Sequence, residues 1–322
     1  MTIQNQQIEE WRSVNRAVGA ANRSRPRPFA KWKLFNAYMG TYKPVELMSL
    51  GIPTVHLMTG DLLWPTGTEL HSQIEPDESW VRNLVKGDPY WSTIGFPGGG
   101  WRTIEHGDII VLDAECWLED SRFGASEIDL AQTAERYLCL IRAMQREAAL
   151  VRKHIYIGAF GYAGSTRYYN GPMFPAYAGT WEPWLKDSAL LSPIVAALDF
   201  LCPELYFFCS KGGGSAPASE SSQRAGYPTL ADEWIGASFN RLAFCSRWGR
   251  PVIPFICPQY IPGGKSNPSL DWTEIEPAFW SQMLALVREN ADGAVLWGGW
   301  KSDGFQVWNP GQWWPVTQAF LK

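Results

Sequence analysis

The sequence predicts an α/β chain of the (β/α)8 TIM-type barrel class, regular or distorted, with long loops at the C-terminal rim. Three observations predict it. Short, almost continuously apolar runs recur along the 322 residues, amphipathic stretches of helical period lie between them, and long segments rich in aromatics or glycine follow several of the runs. Strands buried on both faces of a parallel sheet read as continuous apolar runs, and their alternation with helices implies βαβ units.

In chain order the expected strands are residues 34–39 (LFNAYM), 54–58 (TVHLM), 108–116 (DIIVLDAEC), 154–160 (HIYIGAF), 201–208 (LCPELYFF), 251–257 (PVIPFIC) and 293–298 (GAVLWG), with an eighth near residues 90–96. The clearest helix covers residues 126–152. Its apolar stripe is read as Ile128, Ala131, Ala134, Leu138, Ile141 and Ala148, with Glu and Arg opposite. Ser126 with Asp129 reads as its capping start. Residues 229–248 and 273–290 repeat the spacing, and Asn290 with Gly293 marks a stop. No linker or internal repeat divides the chain. Residues 1–322 are therefore expected to form one catalytic barrel domain, with residues 1–33 leading into it.

Segments 59–71, 161–184, 211–228 and 258–272 each follow a strand and are long. In a barrel such loops stand at the C-terminal rim, where sites are built.

Composition narrows the function classes. Hydrophobic residues make up 46% and charged residues 19%, enough apolar material for a large core. The net charge is −4 and the only notably basic stretch is RSRPRPFAKWK, residues 23–33, so no nucleic-acid partner is expected. No apolar run is long enough to span a membrane, and MTIQNQQIEEWRS lacks the apolar core of a signal peptide. The expectation is a soluble protein, cytoplasmic or delivered in a virion or larger assembly. Six scattered cysteines and four histidines show no metal-ligand spacing, so neither a metal nor a cofactor is expected, and most thiols read as small buried hydrophobes. The 18 tryptophans exceed what a core requires. Indole faces stack on the C–H faces of sugar rings, so part of this load is expected to line a groove.

The most informative string is GDIIVLDAECWLED. Alternation on a strand puts Ile109, Val111, Asp113, Glu115 and Trp117 on one face, and Ile110, Leu112, Ala114 and Cys116 on the other. The first set begins apolar and ends in two carboxylates and an indole, as a barrel strand does where it leaves the packed interior and enters a site. Two adjacent acids whose proton affinities are pushed apart can act as proton donor and anion, the division of labour that glycoside hydrolysis needs.

Here the chain resembles a known family. Asp113-x-Glu115-x-Trp117 is similar to the catalytic strand of the hyaluronidases, glycoside hydrolase family 56. Further segments resemble that family in the same order: LFNAYMG at 34–40, which carries Tyr38; VHLMTGDLLWP at 55–65, which carries Asp61; DFLCPELYFF at 199–208; PVIPFICPQY at 251–260; and ADGAVLWGGWKSD at 291–303. The resemblance implies a retaining, substrate-assisted glycosidase with Glu115 as general acid and then base. Asp113 would accept a hydrogen bond from the acetamido N–H of the sugar, whose carbonyl oxygen attacks the anomeric carbon. Tyr206 and Trp297 would wall in the acetamido group, and a second tyrosine of the family falls near Phe160 or Tyr162, with Tyr162 preferred. Trp117, Asp61 and Tyr38 complete the expected substrate contacts, with a turn-capping role in TGD the alternative for Asp61.

Departures are also visible. Leu118-Glu119-Asp120 stands where the family carries Arg-Pro after the tryptophan, and a Gly/Pro-rich stretch at 86–102 replaces an expected helix. An acidic chain is a poor electrostatic match for a polyanion, so the catalytic pair can carry over without the substrate. Of the chitinase-type DxxDxDxE signature only the last DxE survives, because Val111 holds the middle position. The leading expectation is a hydrolase of an N-acetylhexosamine-containing polysaccharide. Two alternatives are a conventional two-carboxylate glycosidase, pairing Glu115 with a rim acid such as Asp61 or Asp303, and a non-catalytic sugar-binding barrel.

Overall fold

A computed structural model describes residues 31–37, 45–59, 79, 81–82, 85, 107–113, 126–161, 190–206, 231–261, 272–298 and 310–322. Among these lie seven strands: β1 (Lys33–Asn36), β2 (His56–Thr59), β3 (Ile109–Asp113), β4 (Tyr156–Phe160), β5 (Phe200–Cys202), β6 (Phe255–Ile256) and β7 (Gly293–Leu296). Five helices accompany them: α1 (Val45–Ser49), α2 (Glu127–Leu150), α3 (Ala231–Ser246), α4 (Pro277–Asn290) and α5 (Trp313–Leu321). Residues 190–197 are also helical. Each of the seven expected strands coincides with an observed one. The eighth, near residues 90–96, lies outside the described residues, as do all of 211–228 and the other three rim segments apart from residues 59, 161, 258–261 and 272.

All ladder pairings are parallel, in two sheets of order β2-β3-β4-β5 and β1-β7-β6. Single bridges continue the pairing across both seams. Asn36 pairs with Thr54 between β1 and β2, and Leu201 with Val252 and Glu204 with Phe255 between β5 and β6. Each strand therefore neighbours the next in the chain, and the last neighbours the first. At the first seam the Asn36 amide also donates to the carbonyls of Ile52 and Pro53, both at 3.2 Å.

Proline sets where the ladders stop. Residues 201–208 were expected as one strand, but β5 ends at Cys202 because Pro203 has no N–H to donate, and pairing resumes only at Glu204. Pro251 and Pro254 likewise shorten β6 to two residues. The helix expected from residue 273 begins at Pro277, its first-turn proline. Thr273 is used instead to accept a hydrogen bond from the Tyr260 N–H at 2.9 Å.

The two faces of the strands bury two clusters. One joins the strands to the helices and includes Ile110, Leu112, Ile157, Ala159, Leu201, Leu205, Ile256 and Leu296. The other lies on the opposite face of the strands and includes Phe35, Leu57, Ile109, Val111, Phe200, Cys202, Phe255 and Val295. Ile109 and Val111 thus face inward, away from the helices, and Ile110 and Leu112 outward, as alternation on β3 requires. Gly158 belongs to the inner set, and a Cβ there would stand 2.3 Å from the Phe200 ring. The phenyl ring occupies the space that the glycine leaves.

On α2 the capping box forms as read: Ser126 Oγ accepts from the Asp129 N–H at 3.2 Å, and the Ser126 N–H donates to Asp129 Oδ2 at 2.7 Å. The stripe is rotated from the expected one. Ala134, Ile141 and Ala148 are buried as expected, but Ile128 is 69% exposed and Ala131 is also exposed, and Leu130, Tyr137 and Met144 are buried in addition. The polar face is not purely solvated either: Glu147 is buried and takes a 3.0 Å ion pair from Arg82. No helix among the described residues is long and apolar enough to cross a membrane.

Candidate functional site

Because every described strand is parallel, all their C-terminal ends lie at one end of the sheet. β3 delivers Asp113 there, half-buried and in register with Thr59 of β2. The face that carries Ile109 and Val111 into the interior carries Asp113 as well. One residue beyond the pair Leu112–Ala159, the same register sets Phe160 of β4 beside it.

From Phe160 an aromatic wall runs along the strand ends. The Phe160 ring is 6.0 Å from Tyr206 and packs edge-on against Phe255 at 5.0 Å. Tyr206 stacks on Trp297, with centroids 4.9 Å apart and planes 20° from parallel. Trp272 stands beyond, 6.1 Å from Trp297. Stacked and edge-on aromatic contacts of this kind add about 0.5–1.5 kcal/mol per pair beyond burial.

The backbone holds the two central rings from outside. The buried indole of Trp234, on α3, donates to the Tyr206 carbonyl at 3.2 Å, and the Leu205 N–H donates to Phe255 O at 2.9 Å. The Trp297 N–H donates to Ile256 O at 3.0 Å. Immediately after it Gly298 turns the chain at φ 151°, hemmed in by Cys257, Pro258 and Gln259 at 3.2–3.3 Å from where a Cβ would sit. A side chain there would meet both backbone strain and contact.

Of the expected site residues, Asp113, Tyr206 and Trp297 are therefore brought to one end of the strands, the last two in direct contact. Glu115, Trp117, Tyr162, Asp61 and Tyr38 lie outside the described residues. Of the two positions weighed on β4, Phe160 faces the interior. Gly161 follows with φ 73°, so strand alternation stops there and does not carry over to residue 162.

Sequence reading missed Trp272 and Glu204. Trp272 sits at φ 62° in a loop with no periodic signal. Glu204 follows a proline that interrupts the strand. Its own signal was the parity it shares with Cys202 and Tyr206.

Three buried thiols, Cys202, Cys245 and Cys257, lie in the core, each raised by loss of hydration, Cys245 to about 12. They behave as small apolar groups; Cys139 is partly exposed. Among the described residues no group of three or more His, Cys, Asp or Glu could hold a metal ion.

No protein-family model matches the chain, and no curated protein matches it. Solved structures do. Bee venom hyaluronidase in complex with a hyaluronic acid tetramer aligns at a TM-score of 0.50 and 14% identity, over 90% of this chain and 95% of that one. The likeness is one of fold. A monoclinic crystal form of bee venom hyaluronidase (TM-score 0.41, 14% identity, 66% of this chain and 68% of that one) and a fungal β-1,4-galactanase (0.41, 12%, 87% and 79%) align less well.

Proposed function

We propose that the chain is a glycoside hydrolase built as a single closed (β/α) barrel, cleaving an N-acetylhexosamine-containing polysaccharide with retention. The cyclic strand order supports the barrel. So does the register: once round the cycle of seven strands the pairings accumulate a stagger of eight residues, the kind of fixed shear that a closed barrel of tilted strands requires. Barrel sites lie at the C-terminal strand ends. The observation that carries the functional reading is the Tyr206–Trp297 stack standing at that end with the inward-facing Asp113.

In this reading Glu115, which alternation assigns to the face of Asp113, protonates the departing glycosidic oxygen and then draws the proton from the attacking water. Asp113 accepts the acetamido N–H and turns the acetamido carbonyl toward the anomeric carbon, so that the nucleophile comes from the substrate. Tyr206 and Trp297 wall in the acetamido group. Trp117, Tyr162, Asp61 and Tyr38 contact the flanking sugars. The fold shared with an enzyme whose structure holds a hyaluronic acid tetramer fits a polysaccharide partner.

Reducing-end release from a panel of bacterial and animal aminosugar polysaccharides tests this. Wild type is expected to cleave at least one polymer, and Glu115→Gln to lose about 10²–10⁴-fold in rate, the usual cost of removing general acid–base catalysis. Binding by both proteins with turnover by neither would instead make the wall a sugar-recognition groove. Inhibition by a thiazoline analogue of the acetamido intermediate separates the substrate-assisted route from a conventional two-carboxylate one.

A further inference from the structure

The register that brings Asp113 inward brings a second carboxylate with it. Glu204 is 7% exposed and pairs in parallel with Phe255, whose N–H donates to Pro203 O and whose carbonyl accepts from the Leu205 N–H, both at 2.9 Å. Residues paired in this way share a face, and Phe255 belongs to the cluster on the strand face away from the helices. The neighbours agree: Phe200, Cys202 and Tyr206 lie in that cluster, Leu201 and Leu205 in the one beneath the helices. Glu204 therefore faces inward.

Its height follows from the stagger. The pairing from Asp113 leads through Phe160 to Cys202, two residues before Glu204. In the proposed barrel the level rises by about one residue per strand, so two strands raise it by about two. Glu204 thus comes level with Asp113. The pairing of Glu204 with Phe255, and of Phe255 with Val295, puts Trp297 in the same layer by the same step. Layers in such barrels draw their side chains from alternate strands, and β3, β5 and β7 are alternate.

We propose that Glu204 is a specificity-determining residue of the cleavage subsite: with Asp113 it makes the interior floor acidic, selecting a sugar unit that presents N–H donors or a positive charge and rejecting one that carries a carboxylate. The selection rests on the glycosidase reading above. Two carboxylates in one water-poor layer accept hydrogen bonds from an amide or an ammonium, but they repel a uronate strongly at short range. The sugar held against Trp297 is then a neutral or deacetylated hexosamine, and Glu204 sets that preference by its charge.

The test measures binding of three hexasaccharide probes to the full chain carrying Glu115→Gln, which in this reading slows turnover about 10²–10⁴-fold. The probes are an N-acetylglucosamine hexamer, a partly deacetylated hexamer and a hexamer made of uronate units alone. Tight binding of the first two and weak binding of the third is expected. Adding the near-isosteric Glu204→Gln should weaken the two hexosamine oligomers by about ten- to hundredfold, the size of one lost charge-assisted hydrogen bond, and narrow their advantage over the uronate hexamer. Equal binding of all three probes, or an unchanged preference in a Glu204→Gln protein whose Tm matches the parent, overturns the proposal. The preference among probes is read on the parent protein too, so a variant that fails to fold does not decide the matter. Cleavage by wild type, measured in parallel, stands or falls independently of Glu204.

Discussion

Trp272 carries its indole on a left-handed backbone, φ 62°, which costs a bulky residue about 1–3 kcal/mol. Hydrogen bonds hold it there. Its N–H donates to Tyr260 O at 2.9 Å, and its carbonyl accepts from Gln259 Nε2 at 2.7 Å. Strain kept beside Trp297 makes sense if the ring must stand ready for a sugar face. Trp272→Gly removes both the strain and the ring, and is expected to leave Tm unchanged or raised while weakening oligosaccharide binding about fivefold to tenfold, the worth of one stacking contact. A fall in Tm with unchanged binding would make the indole a packing group. At this scale Asp113 was expected from the alternation on an apolar strand, whereas Tyr206 and Trp297 were expected only from the family resemblance. Trp272 was not, because a loop backbone has no period to read.

The helices show which local signals survive folding. Ser126 and Asp129 form the capping box that the sequence announces. Hydrogen bonds from the Ser126 backbone N–H and hydroxyl hold the Asp129 carboxyl below its usual range. A carboxyl depressed in the folded state stabilises it above the unfolded value, and that stabilisation is lost as pH falls through the folded value. Thermal melts of wild type and Asp129→Asn should therefore differ at neutral pH and converge in acid, below the ordinary carboxylate range. Ser126→Ala should cost about 1 kcal/mol at neutral pH in chemical denaturation. Between α4 and α5 the fully buried Trp280 donates to Thr317 Oγ1 at 2.8 Å. Thr317→Val leaves that N–H without its acceptor and should cost about 1–3 kcal/mol by the same measurement. The stripe on α2 was read in part: Ala134, Ile141 and Ala148 are buried as expected, but a neighbouring apolar face competes, and only packing against the sheet selects Leu130 and Tyr137 over Ile128 and Ala131.

At the scale of the whole molecule, the parallel strands pack through small and large residues set against each other. Gly158 yields its place to Phe200, whose ring stands 2.3 Å from where a Cβ would be. Gly158→Ala forces that ring aside, and overpacking of this kind costs about 1–3 kcal/mol. Urea unfolding should show the loss, and Phe200→Leu in the same chain should recover part of it, because the smaller side chain frees the space. Full additivity of the two changes would show that the ring and the glycine are not coupled. The seam at Asn36 has the same importance for closure, since its side chain ties the β1 strand to the segment leading into β2.

The amino-acid pattern by itself determined the parallel α/β class, the position of seven strands, the cap of α2 and the inward face of β3, because each depends on neighbours within a few residues. Tertiary structure alone decided the rest. The stack of Tyr206 on Trp297 joins residues 91 positions apart, and no local period encodes such a contact. The level of Glu204 depends on the summed register of strands separated by whole helices. Prolines at 203, 251 and 254 are visible in the sequence, yet their effect on strand length appears only where a neighbour would have received the missing N–H. Local chemistry chooses the elements, and the stagger between them chooses which side chains meet.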